Sequence, residues 1–252
     1  MKLRTMAVCC AGMLAVALPL PAQTTGKAMG KKGTTCTLPK GRDVLWKLMQ
    51  CCTRDLTSNK GCKEYDPVNR YVIIKDNAVT KPQAYLLIPT EKVTGIDDKR
   101  IFKAPYVNLW ANAWDRSERY PGWADRRIGL AINSAHSRTQ DQLHVHISCI
   151  DARVARTLDE RETQEGGDAT YTLRLPPANN TYTVTMRNDL TDRESPFWIA
   201  REIDRGEAMG NKSVAVVKSK EAGRYFVLTT FYKDGKGGSA EELLDQRCGD
   251  SR

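Results

Sequence analysis

Gln142-Leu-His-Val-His-Ile-Ser-Cys149 is the stretch that decides the reading of this chain. At the two-residue period of a β-strand, Gln142, His144, His146 and Ser148 share one face, and Leu143, Val145, Ile147 and Cys149 share the other. The second face is a core face. The first carries two of the three histidines in the chain, and His136 lies just upstream. Imidazole has an ordinary pKa close to neutrality, so two of them aligned on a strand point to nucleophilic, acid/base or metal chemistry. A structural pair without chemistry is the plain alternative. A metal would call for further ligands, but Cys149 points to the opposite face, His136 falls in a predicted loop, and no HExxH or CxxC motif occurs. The nucleophile reading leads among the three.

The flanking segments extend the sheet. Ile128-Gly-Leu-Ala-Ile132 predicts a strand, Asn133 to Asp141 a polar loop, and Gln142 to Ile150 the histidine strand. Further upstream, Tyr71 to Lys75 and Ala84 to Pro89 predict an antiparallel pair. Helical spacing of apolar residues marks Asp43 to Cys52, and again Pro105 to Tyr120 through Val107, Trp110, Ala111 and Trp114. Beyond the histidines, Val154 to Arg161 reads as helical before a Gly166-Gly167 turn. Strand candidates Tyr182 to Met186 and Tyr225 to Tyr232 flank a helix-like stretch around Phe197 to Ala208. The sum is an α+β fold: an antiparallel sheet with flanking helices.

The first residues carry Lys2 and Arg4, and Met6 to Leu20 is an apolar run without charge that contains Pro19. That is a secretory leader pattern, shorter than the roughly 20 apolar residues of a spanning helix. Cleavage after Ala22 is expected, with an uncleaved anchor as the alternative. The expected organisation is 1–22 as leader, 23–66 as a cysteine-containing segment whose first part is a flexible arm, and 67–252 as the catalytic domain with a C-terminal extension. The chain has 8 cysteines. Cys9 and Cys10 belong to the leader, which leaves Cys36, Cys51, Cys52, Cys62, Cys149 and Cys248. An even number in an exported chain reads as disulfides, of which sequence allows fifteen connectivities. The expectation is bridges among the first four, with different partners for adjacent Cys51 and Cys52, and a tie from Cys149 to Cys248. A net charge of +9 without an Arg-rich arm, zinc finger or aromatic-basic pattern argues against nucleic acid. It suits anionic headgroups or a pyrophosphate.

The path Ile128-Gly-Leu-Ala-Ile-Asn133, a polar loop and Gln142 to Ser148 resembles the histidine-triad superfamily, whose signature is alternating histidines on a strand. Tyr71 to Asp76 followed by Tyr85 to Pro89 is similar to that superfamily's nucleotide-binding hairpin. Leu130 to Ser134, Arg138-Thr-Gln140, His144 to Cys149, Ser195-Pro-Phe197 and Ser239 to Cys248 most closely resemble the CDP-diacylglycerol pyrophosphatase family of bacterial inner-membrane hydrolases. The resemblance covers most of the chain after the leader. One departure is Gln142, where the triad pattern begins with histidine.

The resemblance implies a histidine-triad-like fold and no cofactor. CDP-diacylglycerol is the implied substrate, at the periplasmic side of the inner membrane or in the periplasm. The membrane surface is the expected partner, without an obligate protein partner. His144 is then the nucleophile and His146 the phosphate contact. Asp76 and Asn133 hold the nucleotide, and Thr139, Gln142 and Ser148 offer polar contacts. Lys75 and Arg138 are candidates to neutralise phosphate charge.

Overall fold

The computed structural model describes residues 35–103, 107–117, 127–165, 169–191, 194–221 and 223–249. The leader, Cys9, Cys10, the arm as far as residue 34, Pro105, Tyr120, the Pro121-Gly122 stop and the Gly166-Gly167 turn lie outside them. The strands are β1 (Cys62–Asp66), β2 (Tyr71–Lys75), β3 (Tyr85–Pro89), β4 (Ile128–Ile132), β5 (Val145–Ile150), β6 (Thr170–Leu175), β7 (Asn180–Arg187), β8 (Lys212–Lys218) and β9 (Tyr225–Lys233). Two short strands follow, β10 (Lys236–Gly237) and β11 (Leu244–Asp245). They form one sheet in the order β1-β2-β3-β5-β4-β8-β9-β7-β6, with β10 on β9 and β11 on β5. Every pairing is antiparallel. The expected α+β class is therefore the observed one.

Among the described residues, four α-helices cover the sheet: α1 (Val44–Arg54), α2 (Leu109–Ser117), α3 (Ala152–Glu165) and α4 (Pro196–Glu202). One face of the sheet packs Tyr71, Ile73, Leu87, Leu130, Val145 and Ile147 against Leu109, Trp110 and Ala113 of α2 and Phe197, Ile199 and Ala200 of α4. The other face holds two separate apolar clusters. Val72, Ile74, Leu86 and Ile88 meet Leu45, Leu48 and Met49 of α1. Ala131, Ala215, Val217, Phe226 and Leu228 meet Val154 and Leu158 of α3 together with Ala240 and Leu243. Helix α4 stops where the buried Lys212 amine donates to the carbonyls of Ala200, Ile203 and Asp204, a cation placed where the last-turn carbonyls and the helix dipole favour one.

The disulfides are Cys36–Cys51, Cys52–Cys62 and Cys149–Cys248. Adjacent positions on α1 differ by about 100° around the helix, so Cys51 and Cys52 point in different directions and take different partners. The C-terminal strap, from Ser239 through a 3-10 turn at Ala240–Leu243 and β11 to Cys248, lies across the end of β5. Gly129 of β4 permits this: a Cβ there would meet Leu244 Cδ2 at 2.6 Å.

The structure corrects several boundaries. The histidine strand begins at Val145. Gln142 leaves the β3 and β4 ladders and bridges Thr94, while the Leu143 amide donates to the Val93 carbonyl. The last helix starts at Pro196 and ends at Glu202, short of Ala208. Strands β1, β6 and β8 are additions to the sequence reading. β8 is a continuously buried run in mid-sheet, which lacks the alternation that marks a half-exposed strand.

Candidate active site

Strand register places the histidines. His146 lies opposite Leu86 of β3 and Ala131 of β4, and residues paired across a ladder project to the same side of a sheet. Leu86 belongs to the cluster beneath α1, and Ala131 to the cluster beneath α3. His146 therefore occupies the seam between two apolar clusters. His144 lies two residues back, its ring centroid 4.7 Å from that of His146 and inclined at 67°. The face expected to carry chemistry is buried too, with His144 8% and His146 7% exposed.

His144 Nδ1 stands 2.7 Å from the carbonyl oxygen of Gln142. A carbonyl only accepts, so Nδ1 carries the hydrogen and the neutral ring keeps its lone pair on Nε2. Burial pushes the His144 pKa down, and the Arg138 and Lys81 charges work in the same direction against the pull of the Gln142 carbonyl and Glu241. The result is a neutral, oriented imidazole, which is the nucleophilic form.

His146 faces Glu241 of the strap, Nδ1 to Oε1 at 3.3 Å. Neither ring nitrogen of His146 meets a hydrogen-bond partner among the described residues, although both are buried. Burial lowers its pKa to about 3, against the attraction of Glu241. Burial also opposes charge on Glu241. A protonated His146 would offset that penalty, and the Lys81 amine that donates to Oε1 and Asn133 Nδ2 donating to Oε2 at 3.1 Å offset it in either state of the ring. Gln246 Nε2 adds a bond to Oε1 of 2.6 Å. With these three donors, Glu241 stays ionised while His146 is neutral.

The expected site residues divide by what their side chains hold. Asp76 caps its own turn through the Ala78 amide at 2.9 Å and lies 3.8 Å from the Lys81 amine, so it joins the Glu241 cluster through Lys81. Asn133 clamps Glu241 at both ends, its Oδ1 accepting from the Glu241 amide at 3.1 Å. Gln142 donates from Nε2 to the carbonyls of Pro89 and Glu91 and accepts from the Val93 amide. Its side chain braces the 89–93 loop. The Ser148 hydroxyl donates to the carbonyls of Gln83 and Asp245, where β3 gives way to β11 alongside β5. Thr139 is exposed. Lys75 donates to the carbonyls of Ala84 and Lys81, and Arg138 pairs with Asp97. His136 bonds Asn211 and stacks on Tyr232, with ring centroids 4.1 Å apart.

Sequence reading passed over Glu241 and Lys81 as site residues. Glu241 sits 95 positions beyond His146, and the only signal for it was its place in a terminal stretch that carried the family resemblance. Among the described residues no group of three or more His, Cys, Asp or Glu side chains is arranged to hold a metal ion.

An antiparallel α+β sheet carries a buried pair of imidazoles, one fixed by its own backbone through Nδ1, which is the arrangement a histidine nucleophile requires. Residues 40–251 match the sequence profile described as CDP-diacylglycerol pyrophosphatase, and the chain belongs to that family. The CDP-diacylglycerol pyrophosphatase of Yersinia pestis is 38% identical over 125 residues, which is 46% of this chain and 48% of that protein. The chain thus spans about half the length of the curated relative it matches. Yeast Ap4A phosphorylase is similar at a TM-score of 0.44 and 13% identity, over 74% of this chain and 65% of that one. Its complex with AMP gives 0.39, over 66% and 57%. Likeness at that level is too slight to assign a fold or a site.

Proposed function

We propose that the protein hydrolyses the pyrophosphate of CDP-diacylglycerol, releasing CMP and phosphatidate through a nucleotidyl-histidine at His144. Membership of the family supports the substrate, and the observation that carries the mechanism is the His144 Nδ1 bond to the Gln142 carbonyl. The Nε2 lone pair attacks the cytidylyl phosphorus, an N–P bond forms, and the P–O bond to phosphatidate breaks. Phosphatidate leaves as a phosphate anion and needs no proton in transit. Water then attacks the same phosphorus, the N–P bond breaks, and CMP leaves with the neutral imidazole restored. Lys81 and Arg138 are the cations whose charge acts on the histidine pair, and they favour a polyanionic substrate beside it.

The leader pattern and three disulfides support a place outside the reducing cytosol, at the periplasmic side of the inner membrane or in the periplasm. The basic charge supports a membrane-surface partner.

The test is CMP release from CDP-diacylglycerol in mixed micelles, with EDTA present and His144→Ala alongside. Turnover that survives chelation and is lost in the variant is expected, as is an acid-labile nucleotidyl adduct trapped on His144 by rapid quench. Binding of the lipid nucleotide without turnover would make the protein a non-catalytic relative. Turnover abolished by EDTA would make it a metal-dependent phosphoesterase.

A further inference from the structure

Glu241 is the carboxylate closest to the histidine pair, and the chain invests heavily in holding it there. Its carboxylate takes hydrogen bonds from Lys81, Asn133 and Gln246, and its backbone amide donates to Asn133 Oδ1. The strap that carries it is fixed on one side by the buried Ala240 and Leu243, and on the other by β11 and the Cys149–Cys248 bridge to the histidine strand itself. Both partners in the His146–Glu241 contact thus sit on parts of the chain joined covalently a few residues away.

We infer that Glu241 is a positioning residue for the hydrolysis proposed above: its carboxylate, 3.3 Å from His146 Nδ1, orients that ring and lets it become an imidazolium when a pyrophosphate lies against Nε2. The inference rests on that functional reading. A neutral His146 with its hydrogen on Nδ1, the nitrogen 3.3 Å from Oε1, presents a lone pair at Nε2, which repels a phosphoryl oxygen. One proton taken up from solvent with the substrate turns this repulsion into a charge-assisted N–H to oxygen bond. The carboxylate behind Nδ1 favours the cation, as a buried carboxylate does for a catalytic histidine elsewhere. The charged and titratable groups facing His146 are Glu241 from the strap, His144 from the approach to β5 and Lys81 from the β2–β3 loop. Its ladder neighbours Leu86 and Ala131 carry no charge. Glu241 is the one group in this set that favours a proton on the ring.

Glu241→Gln keeps the shape and an acceptor for Lys81 while removing the negative charge. The expected result is a kcat lower by about tenfold or more with KM changed little, and an alkaline limb of the kcat profile displaced to lower pH by about one unit or more. Glu241→Asp should restore part of both. A kcat and alkaline limb matching the unsubstituted protein would overturn the inference. A second measurement keeps the inference separate from the substrate assignment: the His146 imidazole is titrated by nitrogen NMR in saturating inorganic pyrophosphate. His146 in the unsubstituted protein should titrate at least about one unit higher than in Glu241→Gln. Equal titration in the two proteins overturns the role of Glu241 whether or not CDP-diacylglycerol is turned over. Absence of turnover in the unsubstituted protein, with that difference present, removes the substrate reading alone.

Discussion

The imidazole of His144 and the carbonyl of Gln142, 2.7 Å apart, lie on the same short stretch of backbone. The tautomer of His144 is therefore set by the main chain, and a change of side chain at 142 leaves the acceptor in place. The Gln142 amide has separate work: two donations and one acceptance that tie the 89–93 loop to the start of the histidine strand.

Gln142→His restores the residue type with which a histidine triad begins, and it should lower stability without raising activity. A neutral imidazole offers one donor and one acceptor, so at least one of the three backbone groups now satisfied is left buried and unpaired. The expected cost is about 1–3 kcal/mol in urea unfolding, with the His144 adduct still trapped in the folded fraction. A variant more active than the unsubstituted protein would show that position 142 acts on substrate.

Acid should destabilise the fold earlier than carboxylate protonation alone would. Burial sets the His146 pKa at about 3 in the folded chain against 6.5 for the free side chain, and His144 is lowered as well. Over that interval the unfolded chain binds more protons, so stability is fully present above about pH 6.5 and falls as pH drops, by up to about 1.4 kcal/mol per pH unit for each histidine. Glu241, itself held below its ordinary 4.5, adds its own loss only under that value. Between about pH 4.5 and 6.5 the slope belongs to the histidines, and His146→Gln should flatten it in unfolding measured across that range. An unchanged slope would mean that His146 is charged in the free protein.

Removal of the Cys149–Cys248 bridge should cost more than stability. The closed loop spans 99 residues, for which loss of the cross-link is worth about 2–5 kcal/mol. Paired substitution to alanine frees the end of the strap that carries Glu241, so kcat should fall even at temperatures where the protein stays folded. Substitution of Cys36 and Cys51, which pin α1 instead, should lower the unfolding midpoint while leaving kcat in the folded protein largely unchanged.

Gly95→Ala strikes the site from the Arg138 side. The glycine adopts φ of +55°, and a Cβ there would stand 2.1 Å from Arg138 Nη1. The left-handed backbone costs about 1 kcal/mol for alanine, and the guanidinium must leave its ion pair with Asp97. Arg138→Ala opens the space that the new methyl needs. The double variant should be less destabilised than the sum of the two singles, by about 1 kcal/mol or more in a double-mutant cycle.

Parity along the histidine strand was legible because side-chain direction depends only on the two-residue period, which Leu143, Val145 and Ile147 declare. The β2–β3 pair and the α+β class were legible for similar local reasons, whereas the tie from Cys149 to Cys248 was expected only by grouping the first four cysteines with one another. What the polar side chains do was not. Asn133, Gln142 and Ser148 share the expected neighbourhood, but the hydrogen-bond partner of a polar group is fixed by chain segments brought in from elsewhere, here 89–93 and 239–246. Of the strands β1, β6 and β8, which escaped, two contrast in their pattern. In β8 the apolar run Val214–Val217 is short and shows no alternation, whereas β6 does alternate at a sheet edge, Thr170, Thr172 and Arg174 against Tyr171, Leu173 and Leu175, a signal the sequence reading did not use. Glu241 could not be found by spacing at all, since its neighbourhood with His146 is created by the strap.

That strap imposes an order on biosynthesis. A ribosome that has completed the histidine strand has supplied both imidazoles, yet Glu241, Gln246 and Cys248 come some 95 to 102 residues later. Until they emerge and Cys149 finds its distant partner, the seam between the two apolar clusters stands without its charged cover. A chain that has emerged only as far as the histidine strand carries both imidazoles but not the carboxylate beside them, so the charged surroundings of His146 are completed only when the strap has emerged and the Cys149–Cys248 disulfide has closed.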